Sequence, residues 1–94
     1  MTEIKLLPKV GIFAENKDIA REMRINRLIP LLEKNESITL DFEGIEGTTQ
    51  SFIHALISDL IRKFGIEVLD KVFFQNCNQN VQKIIRIVVD YMQE

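Results

Sequence analysis

The chain has 94 residues, which is enough for one folded domain with a hydrophobic core and too few for two domains of ordinary size. Hydrophobic residues make up 46% of it and charged residues 28%, proportions typical of globular proteins and not of disordered or membrane-spanning ones. The formal net charge of -2 disfavours a general nucleic-acid binder, which needs an excess of basic residues.

The sequence lacks the features of a membrane or secreted protein and those of a zinc site. Its apolar runs are far shorter than the roughly 20 residues that a membrane-spanning helix needs, and the charged N-terminus has no secretory signal. We therefore expect a cytoplasmic location and no membrane partner. Cys77 is the only cysteine and His54 the only histidine, so the sequence offers neither an internal disulfide nor a zinc-ligand set. We expect no metal and no cofactor.

The first third of the chain predicts strand followed by helix. Residues 3–14 favour an edge strand or two short strands, because Pro8 and Gly11 interrupt the strand-forming residues. A helix is then predicted to run to about Lys34, with Asn16 or Asp18 as its N-cap. Pro30 lies inside this segment and should kink or divide it, because proline lacks a backbone donor.

The rest of the chain repeats this alternation. Ser37 to Phe42 predicts a buried strand, and Thr48 or Thr49 precedes a helix predicted from about Gln50 to Phe64. Gly65 is expected to end that helix in the left-handed conformation. We further predict a strand region over 66–75 and a last helix capped by Asn76 or Asn78.

This order predicts a single α/β domain, residues 1–94, with a mainly parallel sheet of three to four strands and right-handed crossovers. Its core is expected to contain the apolar residues that fall on inward faces of the strands and helices: Leu40, Phe42, Ile53, Leu56, Leu60, Phe64, Val72, Phe74, Val81, Ile85 and Val88.

Ser51 is the leading candidate for a functional residue. The periodicity of the predicted helix places apolar residues on one face and an exposed stripe on the other: Ser51, His54, Ala55, Ser58 and Arg62. A hydroxyl in the first turn of a helix is accessible to a kinase, and the helix dipole favours the resulting phosphate. The alternative is that Ser51, Thr48 and Thr49 only cap the helix.

Acidic residues follow the central strand at its carboxyl end. Asp41, Glu43 and Glu46 have the oxygen ligands that Mg²⁺ uses, and a solvated acidic loop is the favoured alternative. Together with His54, Asp41 and Glu43 define a small-enzyme hypothesis. A histidine needs both a nucleophile and an orienting acid within reach, so we interpret His54 as a surface residue. Cys77 is interpreted as a buried or loop thiol without nucleophilic activation.

Two further surfaces are candidates for association. Arg21, Arg24 and Arg27 recur every three residues and form a basic ridge, for which an ordinary solvated face is the favoured alternative. A small apolar patch is a candidate for self-association into a homodimer, built chiefly through Phe52 and Tyr91. The other members of the patch are Ile87 and Val89, and core packing of some members is the alternative.

The central segment resembles a known family. The pattern ITLDFEGIEGTTQSFIHAL over 38–56, the dipeptide FG at 64–65 and VFFQN over 72–76 are similar to STAS-like domains of unknown function (DUF4325), a group of small bacterial domains. Through that family the chain is more distantly similar to anti-sigma factor antagonists. Their fold packs helices on a β-sheet, and their switch is a phosphorylatable serine at a helix start.

This resemblance implies positions for the switch. When LDFEGIEGTTQSF is laid on the antagonist pattern, Ser51 falls at the phosphorylated serine. Thr49, Gln50 and Phe52 stand where antagonists have aspartate, serine and glycine, so recognition by a kinase would be altered. The implied partner is a protein of the histidine-kinase-like ATPase or anti-sigma type.

The sequence therefore favours a non-enzymatic protein-interaction module in bacterial signalling or transcriptional control. We expect its interaction surface to combine a loop, 44–50, with the exposed stripe of the following helix: Gly44, Glu46, Gly47, Thr48, Thr49, Gln50, Ser51, His54, Ser58 and Arg62. The alternatives are a small-ligand or nucleotide-phosphate site at the same loop, or the small enzyme described above.

Overall fold

A computed structural model of the chain describes residues 1–93. The elements in chain order are β1 (Thr2–Lys5), α1 (Leu7–Val10), β2 (Phe13–Ala14), α2 (Lys17–Met23), a π-helical segment (Arg24–Leu28), α3 (Ile29–Glu33), β3 (Ile38–Asp41), β4 (Gly47–Thr48), α4 (Gln50–Phe64), a 3₁₀ helix (Ile66–Asp70), β5 (Val72–Gln75) and α5 (Gln79–Met92).

The main sheet has three parallel strands in the order β1-β3-β5, which confirms the predicted α/β class. All four residues of β3 are buried, as expected of a central strand. Side chains alternate between the two faces of a strand. Ile4 and Val72 point to the core, whereas Lys5 and Phe73 are exposed, so helices cover only one face of this sheet.

Helix α4 lies between α2 and α5 and contacts both of them. Its apolar face fills the core with Ile53, Leu56 and Leu60, as the periodicity predicts. Of the predicted core residues, only Phe64 and Phe74 are partly exposed, and both still pack against the buried cluster. None of the helices in residues 1–93 is long and apolar enough to cross a membrane.

The N-terminal segment forms two short strands, one of the two predicted alternatives. Pro8 belongs to neither strand, because it lies in the first turn of α1, where its missing N–H costs no hydrogen bond. β2 does not join the main sheet and instead pairs in parallel with β4. This two-stranded sheet is absent from the sequence prediction.

The predicted helix over 17–34 is continuous, but its hydrogen bonding changes before Pro30. Asn16 is the N-cap, and its side chain accepts from the backbone N–H groups of Asp18 and Ile19. At the end of the π-helical segment the Ile29 N–H donates to the Arg24 carbonyl, five residues earlier. Because Pro30 cannot donate to the carbonyl four residues before it, the wider turn accommodates the ring.

The region 66–75 is only partly strand. Its first half is the 3₁₀ helix, and the strand is confined to Val72–Gln75. Gly65 has the positive φ that was expected, 86°, but its ψ of 168° is extended and not left-handed helical. The predicted caps of the later helices are confirmed, since the Thr49 side chain caps α4 and the Asn78 side chain caps α5.

Candidate functional site

The first turn of α4 presents Ser51 to solvent, as predicted. The Thr49 hydroxyl oxygen accepts from the Phe52 N–H at 3.1 Å, and the Thr49 carbonyl accepts from the Ile53 N–H at 3.2 Å. Thr49 therefore satisfies the cap, and the Ser51 side chain is exposed. Phe52, the next residue, is fully buried, so these two neighbouring side chains point to solvent and to the core, respectively.

Ser51 lies in a groove along α4 with a volume of about 580 Å³, which we call the α4 groove. One wall comes from α2 and the start of the π-helical segment, and the opposite wall comes from the end of α5, with Ile87 and Tyr91. The floor is the part of α4 that runs from Gln50 to Arg62. The groove thus joins three helices that are far apart in sequence.

The α4 groove carries an excess of positive charge in a chain whose net charge is -2. Its cationic lining residues are Lys17, Arg21, Arg24 and Arg62, and Asp59 is the acidic one. Asp59 pairs with Arg24 at 3.2 Å and with Arg62 at 3.1 Å. Among residues 1–93 the lining therefore carries four positive charges and one negative charge, a net of +3 with His54 counted as neutral.

Arg24 ties one wall of this groove, the π-helical segment, to its floor on α4. Its residue exposure is only 8%, although a solvated face was expected for the basic ridge. Its Nη1 donates to the Ala55 carbonyl of α4 at 2.6 Å, and its Nε has no hydrogen-bond partner within residues 1–93. A buried arginine with these contacts fixes the π-helical segment against α4.

The three arginines do not form one continuous ridge. Arg21 and Arg24 line the α4 groove, whereas Arg27 lines a separate shallow pocket beside Lys9 and Glu22. The π-helical segment begins at Arg24, and its wider turn breaks the three-residue register that the sequence pattern assumed.

Much of the loop before α4 is tethered, and two of its predicted surface residues are buried. Thr48 donates its hydroxyl hydrogen to the Ala14 carbonyl at 2.7 Å, and Gly47 packs against the ring of Phe13. A Cβ atom at Gly47 would lie 2.8 Å from that ring, so a side chain there would force the exposed Phe13 ring to shift. The prediction that Gly47 and Thr48 belong to an exposed interaction surface is therefore wrong, because β4 pairs with β2.

Ser58 is the third predicted surface residue that lies inside the protein, at 3% exposure. It was placed on the polar stripe of α4 by its position on the helical wheel. Because α2 and α5 flank α4, they leave only part of that stripe accessible. Of the predicted surface, the exposed residues are Gly44, Glu46, Gln50, Ser51 and Arg62, and Thr49 and His54 are half-buried.

The carboxylates after β3 do not join the groove. Asp41 is buried, and its Oδ1 accepts from the Glu43 N–H and the Asn76 side-chain amide, both at 2.9 Å. The Asn76 amide, followed by the Glu43 N–H, holds the pKa of Asp41 below its usual value. The expected solvated acidic loop is therefore wrong for Asp41, whose carboxylate ties the ends of β3 and β5 together.

The groups of the small-enzyme hypothesis also lie apart. His54 lines the α4 groove, whereas neither Asp41 nor Glu43 does. Within residues 1–93 no group of three histidine, cysteine, aspartate or glutamate residues has a metal-binding arrangement. Burial, followed by the charge of Asp41, raises the pKa of the Cys77 thiol to about 11, so this thiol is protonated at neutral pH and a poor nucleophile.

The predicted apolar patch is dispersed. Phe52 is fully buried, which rules out a homodimer built through its side chain. Ile87 and Tyr91 are exposed, and both lie at the wall of the α4 groove.

Two residues of the α4 groove, Lys17 and Asp59, were not predicted from the sequence. Nothing in the local sequence pattern indicates that α2, α4 and α5 are neighbours.

Comparison with protein families supports the resemblance noted from the motifs. The pattern of the STAS-like domain of unknown function (DUF4325) matches residues 20–82, two thirds of the chain. The chain belongs to this family. The match begins inside α2 and ends inside α5, so this STAS-like region contains the floor of the α4 groove and Arg21 and Arg24 of its first wall, whereas Lys17 and the α5 wall lie outside it. No curated protein and no solved structure matches the chain.

Proposed function

We propose that this STAS-like chain is a non-enzymatic protein-interaction module in bacterial signalling or transcriptional control, and that its partner docks at the α4 groove. The observation that carries the proposal is the exposed Ser51 hydroxyl at the first turn of α4, inside a groove with a net charge of +3. A partner with an acidic segment complements such a surface.

Phosphorylation of Ser51 is the proposed switch. A phosphate adds nearly two negative charges, which would offset most of the positive charge of the groove lining. The basic side chains of Lys17 and Arg21 share the groove and would stabilise the phosphate itself. An acidic partner would then lose its electrostatic attraction and would leave. The resemblance of the central motif to anti-sigma factor antagonists implies the same mechanism.

The absence of catalytic function is also part of the proposal. His54 has no carboxylate from the β3 end beside it in the groove, and the acid that does line the groove, Asp59, is occupied by two arginines. A general base needs an orienting partner and a nucleophile within hydrogen-bond reach. The charge of the groove lining supports electrostatic docking instead.

The test compares Ser51→Glu with Ser51→Ala in pull-downs from the native host. A matched control is Asn80→Glu, because Asn80 occupies the same second position of α5, two residues after its N-cap, as Ser51 does in α4. We expect Ser51→Glu alone to lose a partner that the other proteins retain, with all variants folded by circular dichroism. Identical partner sets for all variants would reject the switch.

The docking site is tested separately by photo-crosslinking. A photoreactive amino acid at Arg62, in the groove, should capture the partner, and the same amino acid at Glu3, on the open face of the sheet, should not. Capture from Glu3 alone would place the partner on the wrong face of the molecule and reject docking at the α4 groove.

A further inference from the structure

Strand β5 has a free edge on the side away from β3. The Ile38 N–H donates to the Lys71 carbonyl at 2.7 Å and the Phe42 N–H to the Gln75 carbonyl at 2.9 Å, so the odd-numbered residues of this strand face β3. Backbone groups alternate in direction along a strand. The N–H and C=O groups of Val72 and Phe74 therefore face outward, and within residues 1–93 no strand pairs with them.

A groove of about 590 Å³ follows this edge between β5 and α5, and we call it the edge groove. Val72 and Phe74 line it from the strand, and Ile85 and Val89 line it from the helix. The edge groove thus combines unpaired main-chain groups with an apolar wall, the two features that an added β-strand needs.

The two edges of the main sheet differ in how they are protected. β1, at the opposite edge, carries the charged side chains of Glu3 and Lys5 on the open face. β5 has the sequence VFFQ, with no charged residue, and Phe73 is 44% exposed on the same open face. Proteins commonly protect free edges with charges, so the uncharged edge is the one expected to pair with another chain.

We propose that β5 pairs with β5 of a second copy of this chain, antiparallel and across a two-fold axis. The outward groups require Val72 to face Phe74 of the second copy, and Phe74 to face Val72. Each such pair exchanges two hydrogen bonds, giving four in total. Phe73 then meets Phe73 of the second copy as the non-hydrogen-bonded pair at the axis, where side chains are closest. The two three-stranded sheets become one sheet of six strands.

Charge on α5 supports the same symmetry. Arg86 and Asp90 line the edge groove, and neither forms an ion pair within residues 1–93. A two-fold axis reverses the direction of the second α5, which brings Arg86 of each copy toward Asp90 of the other. The surface is therefore complementary to itself, as an isologous interface must be.

Pairing of β5 with β1 of another copy is disfavoured. Such a contact joins two different surfaces, so it would leave free edges at both ends and continue into a filament. It would also set the charged Glu3 and Lys5 beside the apolar β5 edge. The two-fold arrangement closes after two copies. It uses a face of the molecule that does not include the α4 groove, so it is independent of the function proposed above.

The first experiment measures mass by light scattering during size-exclusion chromatography over a concentration series. We expect a dimer for the wild type and a dissociation constant raised about tenfold or more for Phe73→Lys, which places like charges opposite each other at the axis. Glu3→Gln is the matched control, because it changes the charge of the same face by the same amount at the other edge. A wild-type monomer throughout, filaments, or a Phe73→Lys dimer as tight as the wild type would overturn the proposal.

Hydrogen exchange locates the contact directly. The amides of Val72 and Phe74 should become protected as the wild-type protein is concentrated, whereas the Leu40 amide, inside the sheet, should stay protected at every concentration. Phe73→Cys in a Cys77→Ser background should form an intermolecular disulfide on oxidation, because Cα atoms in such pairs lie within disulfide range. Fast exchange at both amides in the dimer, or no crosslink, would refute the β5 pairing.

Discussion

Arg24 is the residue at which the fold and the α4 groove can be tested together. Replacing it with alanine removes the hydrogen bond from Nη1 to the Ala55 carbonyl, a charge-assisted bond worth about 1.5–3 kcal/mol. It also removes the ion pair with Asp59, which is 44% exposed in its side chain and therefore worth about 0–1 kcal/mol. Alanine also loses the packing of two methylene groups, roughly 0.8 kcal/mol each, and this loss is offset by about 1–3 kcal/mol because the buried Nε without a hydrogen-bond partner within residues 1–93 is removed as well. We therefore expect Arg24→Ala to lower the free energy of unfolding by about 2–4 kcal/mol.

Methionine at the same position separates packing from charge. Like alanine, it removes the buried Nε that has no hydrogen-bond partner within residues 1–93, but it keeps an aliphatic chain between the π-helical segment and α4. Relief of such an unsatisfied donor is worth about 1–3 kcal/mol, so Arg24→Met should cost only about 0–2 kcal/mol. Arg62→Met removes the more exposed arginine from the same aspartate and should change stability by about 0.5 kcal/mol or less.

Urea denaturation followed by circular dichroism measures all three variants. The midpoints should fall in the order Arg62→Met, Arg24→Met, Arg24→Ala, with an unchanged slope against denaturant. If Arg24→Ala costs less than about 1 kcal/mol, the arginine does not tie the π-helical segment to α4. Equal losses for the alanine and methionine variants would show that packing contributes nothing at this position.

Three further variants test the core, a cap and a buried carboxylate. Leu56→Ala should lower the free energy of unfolding by about 2–5 kcal/mol in the same assay. The control Ile66→Ala, at an exposed position, should lower it by about 0.5 kcal/mol or less. A similarly small loss for Leu56→Ala would contradict the assignment of Leu56 to the buried face of α4. Asn78→Ala should cost about 1–3 kcal/mol, because it removes the cap of α5 and a 2.8 Å bond to the Glu46 carbonyl; an unchanged midpoint would show that neither bond matters. Because the pKa of Asp41 is lowered in the folded state, its stabilisation is present above the unfolded value of about 3.9 and is lost as the pH falls through the folded value. The free energy of unfolding of Asp41→Asn should therefore fall less steeply than that of the wild type as the pH is lowered into the acid range. An equally steep fall in both proteins would contradict this.

The starts of the helices were predicted well, because each is determined by hydrogen bonds between residues that are close in the sequence. Asn16, Thr49 and Asn78 each accept a backbone hydrogen bond within three residues, so the helix starts could be found from residue type alone. The exposure of Ser51 follows from the same reasoning, since a helix that begins after Thr49 and buries Ile53 must turn position 51 outward.

The errors arose where distant segments meet. The pairing of β2 with β4 joins residues 34 positions apart through strands of two residues, too short to show any alternation. Ser58 has polar chemistry and a polar position on the wheel, yet the neighbouring helices α2 and α5 leave it buried. The groove depends on which helices pack side by side, and a single sequence does not encode that in any local pattern.

The placement of β1 has a practical consequence for shortened versions of this protein. A chain cut to residues 20–82, the span of the family match, would lose the strand that pairs with β3 along its whole length. The middle strand β3, all of whose residues are buried, would then become a second free edge of the sheet, where other chains can add by hydrogen bonding. Such a fragment should precipitate, so a minimal version for biochemical work has to begin before Thr2.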